Sequence, residues 1–392
     1  MGDERMPAIV REPHRSDAAS GRTPPKRTPG WSGAFGAMLT GHAVSLYAAA
    51  ALRIGYGGLY LVFLLREFPH RDEIWGPGSP WSPALAAQLF DQTGWISILA
   101  WSDSRTYFNA CYVLALCTSA LFALGWRTRA VSVLFAAVVA SFHARAIYMT
   151  DGGDNLILLM AVYLVFTACG RRWSLDARRA RLRAGRPAGA REDRGLWRQF
   201  GCARRVMVTV LHNCGMAVIA VQVCLLYGSA GLYKVQGGLW GDGTALHYVL
   251  HLELFNPWPE VSHLLDGYQV PIAVVGYLTV LLQVAFPFVL FSRLKYPVLA
   301  MMLGMHLGIA LLMGLPVLSG AMIVADAVFL SDRSYRSLGS LVRRALRRTV
   351  GTGAATAPQE ADPLVPQQSR LPRSGPARGH RDATPAPEGA RE

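Results

Sequence analysis

Apolar positions in this chain come in long, nearly unbroken runs rather than in the half-apolar stripes of helices that lie on a soluble core. Eight runs, at 43–65, 106–125, 130–149, 155–169, 206–231, 270–291, 297–314 and 317–331, reach or approach the roughly 17–25 residues a helix needs to cross a bilayer. They predict an all-α integral membrane protein of about eight transmembrane helices. The stretch 66–105 breaks the pattern with Pro77, Pro80 and Pro83 and with tryptophans at 75, 81, 95 and 101. It reads as a loop carrying one interfacial helix near 84–100, and a second short aromatic helix is expected to begin near Thr244. Residues 1–41 and 336–392 mix Arg, Pro, Gly and small residues without apolar period, the composition of disordered tails. The membrane domain is thereby bounded at 42–335, with 170–205 as an internal linker. No cleavable signal peptide is read at the N-terminus, so the first run is expected to act as its own insertion signal.

Charge gives this arrangement a direction. The chain carries 39 Lys and Arg against 25 Asp and Glu, yet only 16% of its residues are charged and 52% are hydrophobic. The linker 170–205 holds twelve arginines against three acids. Residues 1–41, the 126–129 turn, Arg293 with Lys295 and the residues after the last run are also net positive. The alternate loops, 66–105, 151–154 and 231–269, are net negative. Loops rich in Lys and Arg stay in the cytoplasm, so the pattern predicts a cell-membrane protein with both termini cytoplasmic. It also excludes a nucleic-acid partner as the reason for the net charge of +14; the basic linker reads as an orientation signal anchored to lipid headgroups. The six cysteines lie in apolar runs or, for Cys202, in the basic linker, with no CxxC pair, so no disulfide framework is expected.

The stretch Tyr227–Leu250 concentrates the candidate chemistry. Small residues 228–231 end an apolar run, Lys234 follows, and a Gly-rich loop carries Trp240 and Asp242. Only three of the 39 basic residues are lysine (Lys26, Lys234 and Lys295), and a lysine can give up its proton where arginine cannot. Lys234 is also the only lysine on the side expected to face outward. It reads either as a base or anion anchor or as a snorkelling lysine at a helix end. Ionisable groups at membrane depth are costly, so each is a candidate site residue. Arg53 and Asp326, opposite charges in the first and last runs, are expected to pair, or Arg53 to meet a substrate. His143 and Arg145 fall close along the chain to Asp151 and Asp154, and Asp154 is expected to cap the helix that includes Asn155. His306, between Gly304 and Gly308, suits a packing role or a quinone or proton-relay role. His247 and His251 have the four-residue spacing of two metal ligands on a helix, but no third ligand is evident and no metal is assigned. No P-loop, nucleophile elbow or dinucleotide fingerprint is present.

Several of these motifs resemble the horizontally transferred transmembrane domain, the membrane domain of vitamin K-dependent gamma-carboxylases and many bacterial relatives. The resemblance rests on ALRIGYG at 51–57, DGGDN at 151–155 with GRRWSLDAR at 170–178, and LYKVQGGLWGDGTALHYVL at 232–250. FPFVLF at 286–291 and His306 add to it. It implies that Lys234 is the base that deprotonates reduced vitamin K or another hydroquinone, with Trp240 and Asp242 shaping its pocket. The carboxylases have an Asn-His pair where this chain has Asp154-Asn155, so that pair's role is not carried over. It further implies an exported peptide or small molecule as substrate, in a carboxylase-like reaction. The alternative, also drawn from bacterial relatives, is a non-catalytic membrane partner in the maturation or export of a secreted peptide of the sporulation-delaying toxin type. A transporter is a weaker reading, since no inverted repeat is visible.

Overall fold

A computed structural model describes residues 39–185 and 195–353, together with Gly2 and Gly36. Among these residues the structure is all-helical, with no strand. The chain divides into two units, 1–338 and 339–392; the second is described only as far as Gly353 and is helical there. Most of the expected disordered tails, 1–41 and 336–392, lies outside the described residues, as does 186–194 of the linker.

The helices are α1 Leu46–Arg66, α2 Pro83–Thr93, α3 Arg105–Leu124, α4 Thr128–Arg145, α5 Gly152–Phe166 and α6 Leu175–Ala184. There follow α7 Gly195–Val235, α8 Ala245–His251, α9 Pro259–Asp266, α10 Gln269–Val289, α11 Lys295–Leu312, α12 Pro316–Asp326 and α13 Asp332–Gly353. Five (α1, α3, the 198–235 part of α7, α10 and α11) are long and apolar enough to cross a membrane. Helix α5 and the segment 316–329 are apolar but shorter.

Helix α1 runs through the centre. Its Ala48, Leu52, Tyr56, Tyr60 and Leu64 are buried, a four-residue repeat that keeps one stripe against its neighbours. Two small residues let those neighbours come close. A Cβ at Gly57 would stand 2.9 Å from the backbone nitrogen of Ala123 on α3, and one at Gly55 would overlap Val324 of α12. Tyr56 Oη donates to the carbonyl of Ala321 on α12 across 2.9 Å. Helices α5 and α7 run antiparallel: Tyr163 Oη donates to Gln222 Oε1 (3.3 Å), while Gly215 abuts Thr167. Helix α10 packs along the last turns of α7, where a Cβ at Gly231 would come within 2.8 Å of the Val284 backbone.

Local capping sets the helix ends, and there the structure departs from the expected bounds. Asp151, not Asp154, caps α5. Its Oδ1 accepts from Gly153 N (2.6 Å) and Asp154 N (3.0 Å), and Asp154 Oδ2 returns the favour to Asp151 N (3.0 Å). This closed capping box starts α5 at Gly152 rather than 155. Gly153 is needed because Leu318 backbone lies 2.6 Å from where its Cβ would be. The interfacial helix expected at 84–100 stops at Thr93, where Gly94 takes a left-handed φ of 73°, and a separate 3-10 turn forms at Ile98–Ala100. Helix α7 exceeds the expected 206–231 at both ends, and no proline interrupts 198–235. Lys234 therefore sits inside its last turn rather than beyond it.

Candidate functional site

Lys234 closes the C-terminal end of α7. A single turn at Gly238–Gly241 follows and folds Trp240 back, so that the lysine Nζ lies 5.3 Å from the indole centroid, within cation–π range. The amine's other polar neighbour is the carbonyl of Ala230, one turn back, at 3.5 Å. Among the described residues no carboxylate lies within 4.0 Å of it. Asp242 does not join the lysine: it ends the single turn, its backbone donating to Gly238 (2.8 Å). Tyr277 of α10 donates to the carbonyl of Gly241 (2.8 Å) and pins the loop to the bundle.

Two turns below Lys234 on the same face of α7, about 10.5 Å along its axis, Tyr227 forms the centre of a buried polar group. Its hydroxyl donates to Asp326 Oδ2 of α12 (2.9 Å) and lies 2.9 Å from His306 Nε2 of α11. The phenol has one proton; given to the carboxylate, it leaves Tyr227 Oη to accept from His306 Nε2–H. Asp326 Oδ1 and His306 Nδ1 have no hydrogen-bond partner among the described residues. Phe286 packs on the phenol ring at 4.5 Å. Tyr227 escapes a search for ionisable residues because an apolar helix carries tyrosines for packing alone.

This arrangement overturns the expected Arg53–Asp326 pair. Arg53 is wholly buried, yet its guanidinium is shared among carbonyls. Nη1 donates to Phe122 O (2.7 Å) and to Ala123 O, Nη2 to Trp173 O (2.7 Å), and Nε to Cys169 O (3.3 Å). Phe122 and Ala123 belong to the last turn of α3, where carbonyls outnumber helical donors and carry the negative end of the helix dipole; Phe122 O also accepts from Gly125 N (3.0 Å). Arg53 thus serves as a cap on α3 rather than as a partner of Asp326.

His143 and Asp154 meet elsewhere, in a cleft of about 270 Å³ at the end of α1 where Asp151, Glu67 and Tyr60 also line the wall. His143 is 8% exposed, its Nδ1 is unpartnered among the described residues, and Trp95 lies over it at 5.9 Å. Arg145 turns away, donating to Gly76 O (3.3 Å). Asn155 is not part of the wall; its amide donates to Asp151 O (2.9 Å). The expected site residues therefore fall into four places: the Lys234–Trp240 end, the Tyr227 group with His306, the His143–Asp154 cleft, and the Arg53 cap.

The loop beyond Trp240 adds an arrangement that the sequence does not disclose. His247 and His251 of α8 converge with Asp266, the last residue of α9. His247 Nδ1 contacts Asp266 Oδ1, and His251 Nε2 stands 3.7 Å from Asp266 Oδ2. A second missed residue is His212, buried in α7, which accepts from Ala168 N (3.1 Å) and donates to Val44 O (2.7 Å); it ties α5 and the entry to α1 onto α7.

Among the described residues, fold and site define an all-helical protein with five candidate membrane-spanning helices and a buried polar group shared by two of them and α12. No family model matches the chain, and no curated protein or solved structure is significantly similar to it.

Proposed function

We propose that this protein is a multi-pass enzyme of the cell membrane, of the kind that the carboxylase membrane domain and its horizontally transferred relatives represent. In this reading Lys234 acts as a base on a hydroquinone or another lipid-soluble cofactor, and the substrate is an exported peptide or small molecule. The observation that carries the proposal is the isolation of the Lys234 amine, held against an indole ring with no carboxylate within 4.0 Å among the described residues. A lysine kept only to pair with an acid would have found one in a loop that offers Asp242, Glu253, Glu260 and Asp266.

The surroundings fit a hydroquinone. Trp240 gives an aromatic face, and the exposed Leu232, Val235 and Leu239 give an apolar approach from lipid. A hydroquinone, when bound, supplies a weakly acidic phenol and two reducing equivalents. Lys234 would take the phenolic proton, Trp240 would hold the ring near the amine, and the apolar flank of α7 would keep bulk water away. Tyr227 lies two turns below on the same face of α7, with His306 of α11 and Asp326 of α12 beside it, and this group would offer a destination for a proton leaving the amine. The same reading makes α1, α3, α4, α5, α7, α10, α11 and α12 eight spans with both termini cytoplasmic, as the alternation of loop charge supports.

The test uses the purified protein, a short-chain naphthohydroquinone and oxygen, with hydroquinone consumption as readout. Lys234→Arg keeps the charge but cannot act as a base, so the rate is expected to fall by about 10²–10⁴-fold at unchanged membrane abundance. An equally active Lys234→Arg protein would refute the base role, and a wild-type rate no faster than the uncatalysed oxidation would leave the non-catalytic maturation partner as the better reading.

A further inference from the structure

The loop between α7 and α10 folds into two short helices, and their arrangement is not explained by packing alone. Helix α8 places His247 and His251 one turn apart on the same side. Helix α9 then returns and ends with Asp266 beside them. One donor atom from each of the three residues lies within 4.8 Å of the other two. His251 is already oriented: its Nδ1 lies 2.8 Å from the carbonyl of His247. A proton on Nδ1 therefore leaves the Nε2 lone pair facing Asp266, the second-sphere arrangement that fixes metal-ligating histidines. The His247 and His251 ring centroids lie 4.6 Å apart with their planes inclined at 46°, and both imidazoles reach the same carboxylate.

We propose that His247, His251 and Asp266 bind a zinc-class divalent cation that clips α8 to α9. Two neutral imidazoles and one carboxylate form a donor set of borderline hardness suited to zinc, with a fourth, open position for water. A metal–nitrogen bond of about 2.1 Å sets tetrahedral donor separations of about 3.4 Å. The Asp266–His251 gap of 3.7 Å is close to that, and the Asp266–His247 contact opens to admit the ion. All three side chains reach solvent, between 21% and 46% exposed, so an entry path exists and no buried charge has to be created. His263, whose ring centroid lies 5.6 Å from that of His251, stays outside the set. The clip would hold the loop that begins at Trp240, and it does not depend on what Lys234 does.

The experiment is a zinc titration of the tag-free full-length protein in detergent, by calorimetry, with bound zinc counted by elemental mass spectrometry. One zinc per chain at micromolar or tighter affinity is expected, together with a rise in the unfolding temperature on zinc addition. His247→Gln, His251→Gln and Asp266→Asn are each expected to weaken binding at least tenfold, whereas His263→Gln changes it by less than twofold. Because these side chains are partly exposed, the variants are checked for an unchanged elution profile without metal. Failure of the wild-type protein to take up stoichiometric zinc would overturn the proposal. So would equal loss in the His263 variant, or full affinity in the Asp266 variant. In the first case the cluster is an imidazole–carboxylate ion pair and nothing more.

Discussion

Arg53 shows how a buried guanidinium is held with no carboxylate within 4.0 Å of it among the described residues. Four carbonyls receive four of its five N–H donors, which matches the planar fork of a guanidinium and not the single point of an ammonium. Arg53→Lys is therefore expected to destabilise nearly as much as Arg53→Ala, by about 3–5 kcal/mol, since either strands buried polar groups. Asp326→Asn perturbs a different group, around Tyr227, so the double variant Arg53→Ala/Asp326→Asn is expected to show additive losses within about 0.5 kcal/mol. Thermal unfolding in detergent measures this, and recovery in the double variant would restore the ion pair that the sequence suggests. The reason the sequence misleads here is physical. Opposite charges can be counted along a chain, but every residue has a carbonyl, and which ones lack a partner depends on where the helices stop. Tyr227 was hidden for a similar reason, whereas Lys234 stood out because the chain so strongly prefers arginine.

Helix positions were legible for the same reason that helix ends were not: apolar runs extend over many residues, while an end is decided by one side chain. The α3–α4 turn is the clearest case. Asp176, at the start of α6, reaches across to accept from Thr128 N (2.7 Å), Thr128 Oγ1 (2.8 Å) and Arg127 N (3.0 Å). It thereby caps α4 from a different part of the chain. Gly125 makes room with a φ of 73°, since a Cβ there would overlap Ser174 and Arg53. Burial alone would push the Asp176 carboxyl up, but the hydrogen bonds from Thr128 and Arg127, with Arg179 nearby, outweigh it and hold the carboxyl below its ordinary value. A carboxyl depressed in the folded state stabilises above its unfolded value, about 3.9. That contribution is lost as pH falls through the folded value. Asp176→Asn is expected to cost about 1 kcal/mol at pH 7, the lower range for a partly exposed cap. The gap to the wild-type protein should narrow below about pH 4. Unfolding temperatures across pH 3–7 measure it, and a constant gap to the acid end would count against a charged cap.

At the scale of the molecule the open quantity is how many helices cross. Five qualify by length and hydropathy. Helix α4 has arginines at both ends, Arg129 and Arg145. Helix α5, with 15 residues, is about 22 Å long against a hydrocarbon core of about 30 Å. Both nevertheless lie within the bundle, with Phe135, Val138, Ile157 and Met160 buried, and α12 packs against α1 and α5 through Tyr56 and Gly153. Short helices surrounded by protein need not match the full lipid thickness, because their ends are sheltered by neighbours rather than by headgroups. Eight crossings and five crossings make opposite demands on the C-terminus. With the N-terminus cytoplasmic, an even number returns the chain to the cytoplasm, while crossings by α1, α3, α7, α10 and α11 alone leave it outside and leave Gly152 inside. Single cysteines placed in a cysteine-free background decide the matter by labelling with an impermeant maleimide on intact cells. Gln92, Gly152 and Thr244 are expected to label from outside, and Ala190, Arg293 and Glu360 only after permeabilisation. Protection of Gly152 together with outside labelling of Glu360 would reduce the count to five. Lys234 would stay on the outer face in either case, because α1, α3 and α7 bring it there regardless of how α4, α5 and α12 are placed.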